Sequence, residues 1–295
     1  MPAQEGCDFT GRKSKTARRR IVNEYNENYS YSIPSALLIF FPNFMQKTLA
    51  AFAFVALTFT LASKVQAHQI WLEQPAGPSA VLNFGEFGEN LRETSPGLLD
   101  KFGQPRATLV SAEGEQPLEV TKTPTGFALS AKAGQGDSIV AEDAHYPLYK
   151  TKQADKEGMG AYHPAARYVT GFAAQQPKLA LDIVPTGKAG EFKVFFKGQP
   201  LPKAKVGVAV QSGWEKKAES DAQGIVRFDF PWQGNYVIEA MHADRTPGER
   251  PALAAKGAAA STEKFDSVSY VTSLTVAVAD GVAPIAAGPA APANK

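Results

Sequence analysis

Four histidines hold most of the chemistry this chain offers: His68, His145, His163 and His242. Neutral imidazole suits zinc, copper, iron and nickel. His145 and His163 stand in a Tyr/Pro-rich stretch, as His145-Tyr-Pro and Tyr162-His-Pro, and His242 follows Met241 in MHADRTPG. His68 is set apart by what precedes it. Met45-Gln-Lys47 leads into the apolar run TLAAFAFVALTFTLA, Thr48 to Ala62, and then into Ser63-Lys-Val65-Gln-Ala67. A short basic start, an apolar run and a small-x-small exit make a secretory signal peptide cut after Ala67. The run is shorter than the roughly 20 residues a membrane-spanning helix needs. Cleavage leaves His68 as the mature N-terminus, where its α-amine and imidazole can chelate one metal ion together. An α-amine with a pKa of about 8 is partly neutral at pH 7, and a bound metal displaces the remaining proton. The expectation is a divalent transition metal (nickel, cobalt or copper) held by His68 with help from one or more of His145, His163 and His242. Each of these three alone serves equally well as a surface or core hydrogen-bonding group, and Met159 and Met241 read as packing residues.

The remaining chemistry is thin. The sequence has no G-x-S-x-G, P-loop, H-E-x-x-H or G-x-G-x-x-G, so the expectation is a protein without catalytic activity. The single cysteine, Cys7, lies before the apolar run, which excludes zinc-finger and thiol chemistry from the body. Trp71, Trp214 and Trp232 offer a different reading, the stacking platform of a carbohydrate-binding or adhesion module, although tryptophans on strands more often pack in cores. Glu86, Glu89, Arg92 and Glu93 form a charged cluster in GEFGENLRETSPGLLDKF, read as a solvated loop with a helix cap.

The elements that must position these residues are strands. Of 295 residues, 44% are hydrophobic and 20% charged, enough for a sizeable core. The net charge of +2 hides an uneven distribution. Residues 1–67 hold 8 basic and 4 acidic side chains, and the rest hold 23 and 25. A near-neutral body has no footprint for nucleic acid. Beyond residue 68, short β-rich runs alternate with Gly and Pro. Only Ser95–Phe102 has a helical look, with Ser95 as cap and Pro96 at the first helical position. The pattern predicts an all-β protein of two β-sandwich-like domains. Residues 1–44 read as a mis-set start without structure, 45–67 as the signal peptide, 68–176 as an N-terminal β-domain, and 177–280 as a second sandwich. The Ala/Pro/Gly-rich residues 281–295 read as a disordered tail with no ligands, whose removal leaves metal binding unchanged.

Two resemblances follow from particular phrases. Phe196-Lys-Gly-Gln-Pro-Leu-Pro-Lys-Ala-Lys-Val206, then Asp221-Ala-Gln-Gly224, then Gly234-Asn-Tyr-Val-Ile238 resemble the prealbumin-like β-sandwich of collagen-binding repeat and carboxypeptidase-regulatory modules. Ala67-His-Gln-Ile-Trp-Leu72, Phe84-Gly-Glu86, the phrases just named and Tyr270-Val-Thr-Ser-Leu274 look like a bacterial periplasmic family. That family is catalogued as a domain of unknown function and described as the periplasmic component of nickel/cobalt uptake. The resemblance implies a periplasmic metal carrier that partners a membrane metal transporter. It carries His68 over as the opening residue of the mature chain and His242 as a strand-end histidine. It implies nothing for His145 or His163.

Overall fold

The computed structural model describes residues 68–153, 156–253 and 261–294. Residues 1–44, expected to be a mis-set start, and residues 45–67, expected to be a signal peptide, both lie outside the described residues. The described chain is all-β, with two short 3₁₀ turns besides its strands. One of them, Leu98–Lys101, is all that forms where a helix was expected. The Ser95 hydroxyl there donates to Asp100 Oδ1 at 2.7 Å, and the Gly97 N–H donates to the other carboxylate oxygen. Asp100 thus ties the turn to its own first residues, and the chain leaves it extended at Phe102. No helix among the described residues is long and apolar enough to cross a membrane.

Three sheets stack with the largest in the middle. Its order is Glu215–Glu219, Lys205–Ala209, Gly234–Asp244, Ser267–Val278, Lys156–Val169, Ser138–Glu142, Arg106–Ser111 and Gly114–Leu118. Side chains on a strand alternate between faces, so the two long central strands serve two cores. One face, bearing Ile139, Ala141, Ala166 and Tyr168, packs on the strands Gln69–Glu73, Val81–Glu86 and Gly126–Leu129. The Ser273 hydroxyl, on that face, donates to the Ile70 carbonyl at 2.6 Å. The opposite face, bearing Val169, Ile238, Leu274 and Val276, packs on Leu181–Pro185 and Glu191–Phe196.

The expected boundary near residues 174–180 falls between the two cores, and strands from both sides of it share the central sheet. The described residues from His68 to Asn294 belong to one compact unit. Lys156–Val169, from the first half, pairs in parallel with Ser267–Val278, from the second, in register from Gly160↔Ser267 to Val169↔Val276. The crossing itself is pinned. Arg167 and Asp182, both without solvent exposure, pair at 3.0 and 2.6 Å. Arg167 also donates to Ser138 Oγ and to the Gln176 carbonyl. A sheet edge left open at residue 169 would expose a full row of unpaired backbone groups, and the second half closes it.

The Asp221–Gly224 turn forms as the D-x-x-G spacing predicts. The Gly224 N–H donates to the Asp221 carbonyl, and Asp221 Oδ1 accepts from Gln223 and Ile225. Gly224 has φ +78°, and a Cβ there would lie 2.9 Å from the Val194 carbonyl oxygen. The strands it joins, Glu215–Glu219 and Ile225–Arg227, belong to different sheets. The turn is therefore a corner between layers.

Candidate functional site

His68 stands immediately before the strand Gln69–Glu73. Its carbonyl accepts from the Tyr162 hydroxyl at 2.6 Å, which anchors the strand's start to the central sheet. Gln69 pairs with Gly85, which places His68 beside Glu86 at the end of Val81–Glu86. The chain then makes a tight return. Phe87–Glu89 is a 3₁₀ turn closed by Asn90 in the left-handed region, and Leu91–Arg92 runs back along Gly85–Glu86. The return needs glycine at 85, where φ is +141° and a Cβ would meet the Leu91 carbonyl oxygen at 2.3 Å. The Glu93 N–H then donates to the Phe84 carbonyl at 2.8 Å, which sets Glu93 on the far side of the imidazole.

The imidazole therefore lies between two carboxyl groups. Nε2 is 2.5 Å from Glu93 Oε1, and Nδ1 is 3.5 Å from Glu86 Oε1. Glu93 is fully buried and Glu86 partly so. Two bare acceptors repel at 2.5 Å, so a proton lies between Nε2 and Glu93; we assign it to Nε2, which donates to the buried carboxylate. In a neutral ring this leaves the Nδ1 lone pair directed at Glu86. Burial pushes the Glu86 carboxyl above the ordinary range; the charge of His68 offsets part of this, and Glu89 and Glu93 add to it. The ring rests on Phe84, centroids 5.2 Å apart, and Phe84 continues into Phe102, Tyr146 and Tyr162. Burial, with the charges of Glu93 and Asp143, pushes the Tyr146 hydroxyl up to about 12. Tyr162 is raised further, again chiefly by burial. Both phenols therefore stay neutral, and the Tyr162 hydroxyl is the one that donates to the His68 carbonyl. On the same face of the central sheet, Glu239 is raised to about 7, first by burial and then by Glu86, against a lowering by Lys217.

The other three histidines do not join His68. His163 and His242 lie on the opposite face of the central sheet, each paired in register with Tyr270 on the strand between them. His163 Nε2 is 2.9 Å from Glu142, and its ring lies against Tyr270. The His242 ring packs on Phe196, which itself packs on Tyr270. Aromatic rings thus separate the pair. His145 lies beside Gly103, with its N–H donated to Asp143. Among the described residues, no three His, Cys, Asp or Glu side chains are grouped to hold a metal ion. Glu86 and Glu93 sit on opposite edges of one imidazole and cannot share a centre. The tryptophan platform is not assembled either. Trp71 is fully buried against Phe87 and Val237. Trp214 and Trp232 pack edge-to-face in the other core.

The A-H-Q-I-W-L start and the G-E-F-G-E-N-L-R-E return that build this site lie within the span covered by the family comparison. The family described as "Domain of unknown function (DUF4198)" matches residues 65–244. The chain belongs to that family. No curated protein and no solved structure is significantly similar to it. The matched span holds His68, Glu86, Glu93, Tyr162 and Glu239, so the candidate site of this DUF4198 domain is almost wholly internal to it. One contributor falls outside. Asn294 donates its backbone N–H to Glu93 Oε2 at 2.9 Å and its side-chain amide to Oε1 at 2.6 Å. The segment read as a disordered tail is docked on the molecule, and it is held by hydrogen bonds at three places along its length.

Proposed function

We propose that this chain, cut after Ala67, is a periplasmic binding protein for a divalent transition metal, nickel, cobalt or copper, that supplies a membrane transporter. The reading rests on one observation: the buried Glu93 holds Nε2 and turns Nδ1 toward Glu86. Nδ1 is the nitrogen that can close a six-membered chelate ring with the α-amine of the same residue. In the uncut chain that backbone nitrogen is a peptide amide, which is no ligand while it keeps its proton. Once freed it stands on the residue whose ring is already oriented. The donor set is then the α-amine, Nδ1 and Glu86, with Glu93 as the outer carboxylate that fixes tautomer and ring plane. Two nitrogens and one carboxylate suit borderline divalent ions, and affinity should rise from cobalt through nickel to copper. His145, His163 and His242 have no part in this set.

The test is calorimetry with nickel, cobalt, copper and zinc on protein beginning at His68, verified by intact mass. Micromolar or tighter binding of at least one ion is expected. A single alanine placed before His68 should weaken it as much as His68→Ala does. Unchanged affinity on that extension, for every ion bound, would overturn the reading.

A further inference from the structure

The carboxy-terminal segment was expected to be free, yet the structure docks it along the molecule and ends it at His68. The Val282 N–H donates to the Pro231 carbonyl at 3.0 Å, and the Gln233 N–H donates to the Val282 carbonyl at 2.9 Å. The Gly288 N–H donates to the Gln211 carbonyl, and its own carbonyl accepts from the Asn90 side chain, both at 2.9 Å. Asn90 is the left-handed residue that closes the turn between Glu86 and Glu93. Asn294 then reaches Glu93 with two N–H groups, and its amide nitrogen lies 3.2 Å from His68 Nε2. Pro284, Pro289 and Pro292 suit the segment to this course. Each fixes φ near the extended polyproline value, so ordering the strap costs less than ordering a flexible chain. At about 3.1 Å per residue, the twelve steps from Val282 to Asn294 can cover roughly 37 Å.

We propose that residues 281–294 are a latch for the His68 site, and that Asn294 is a positioning residue acting through Glu93. The metal-binding role of the latch rests on the reading above. Its structural role does not. Glu93 has no solvent exposure, so its oxygens depend on protein donors. His68 supplies one N–H and Asn294 supplies two. The two Asn294 bonds hold the carboxylate plane, and the carboxylate in turn holds Nε2. Without them Glu93 must turn elsewhere for donors, and the imidazole loses the partner that sets its tautomer. Asn294 approaches the Nε2 edge, whereas the proposed ligand edge is Nδ1 with Glu86. The latch therefore braces the site and does not block it. Removing the tail should weaken binding, the reverse of the outcome expected for a disordered tail.

Four proteins starting at His68 test this: the full chain, the two variants Asn294→Ala and a chain ending at Gly288, and, as a further comparison, Asn294→Asp. Calorimetry with copper and with nickel should show affinity falling about 10- to 100-fold in both variants, the range for loss of an outer-shell partner. Asn294→Asp, which sets a second carboxylate against Glu93, should bind more weakly than Asn294→Ala. The metal-free arm uses ¹⁵N-labelled histidine. In the full chain His68 should show a protonated Nε2 and a bare Nδ1, and in both variants its two ring-nitrogen resonances should move toward the mixture of tautomers seen in free histidine. His163 and His242 serve as internal controls and should not move. If the full chain binds no metal while the His68 resonances shift in the variants, the metal reading fails and the latch stands. If the resonances of His68 are unchanged in Asn294→Ala and in the shortened chain, the latch is wrong, whatever the metal affinity.

Discussion

Asp182→Ala should be among the most damaging single substitutions in this protein, although it lies in the four-stranded sheet, away from His68. Arg167 and Asp182 are both inaccessible to solvent. Asp182 receives Nε and Nη2 of Arg167, and its Oδ2 also accepts the backbone N–H groups of Lys178 and Leu179 at 2.7 and 3.2 Å. Alanine leaves a guanidinium without its counter-charge and two backbone donors without an acceptor. Removing one partner of a buried pair costs about 3–5 kcal/mol, mostly because the other charge is stranded. For a domain of this size each kcal/mol moves Tm by about 2–4 °C, so a fall of about 6–20 °C is expected. Replacing both residues, Arg167→Met with Asp182→Leu, should recover most of the loss, because no charge is then left buried. Scanning calorimetry on protein beginning at His68 is the assay, and every variant should unfold in a single transition. That expectation follows from the shared sheet, whose parallel pair joins the two halves along ten residue pairs. A loss below 1 kcal/mol for Asp182→Ala would refute the argument from burial. A double variant no better than the single one would refute the argument from stranded charge. Two resolved transitions would show that the halves are separable domains after all.

Gly85→Ala should cost about 1–3 kcal/mol, for a left-handed backbone position that a side chain strains, and should weaken metal binding because Glu86 moves with the return; an unchanged melting temperature measured beside the calorimetric titration would contradict it. Glu239 is raised from 4.5 to about 7 by burial and then by Glu86, with Glu215 adding to the shift and Lys217 opposing it. Its folded value lies above its unfolded one, so the stability it contributes is fully present below about pH 4.5, is lost as pH rises through about 7, and is flat beyond. Glu239→Gln in metal-free protein should therefore match the parent near pH 4.5 and melt above it at pH 8; parallel Tm curves for the two from pH 4.5 to 8 would be evidence against the raised folded value.

The strands and both cores were legible because the signals that specify them are local. Alternation such as Val206, Val208 on one strand and Tyr236, Ile238, Ala240 on another reads directly as one buried face. The Asp221–Gly224 turn was legible because Asp and Gly each have a specific backbone role there. The union of the two halves was not. Gln175-Gln-Pro177 has the composition of a linker, and nothing local tells that Gln176 offers its carbonyl to a buried arginine. Parallel pairing between residues 160–169 and 267–276 leaves no turn signature either, since the chain between them is about a hundred residues long.

The site divides along the same line. His68 was singled out because the chelation proposed for it depends on the residues just before it. Its partners were not, because each reaches it by a route that sequence spacing does not record. Glu86 and Glu93 stood in a stretch read as solvated loop with a helix cap, and the helix was the error. The 3₁₀ turn Phe87–Glu89 instead folds residues 91–93 back along residues 84–86. Gly85 was the available clue, because a glycine inside an otherwise alternating strand marks a close backbone approach. Asn294 had no clue at all: Ala, Pro and Gly provide few side chains for a core, and composition alone therefore assigns disorder. That inference holds only when the backbone also lacks partners, and here the partners are supplied by Pro231, Gln211, Asn90 and Glu93. A buried carboxylate with too few donors of its own is what gives such a segment a place to end.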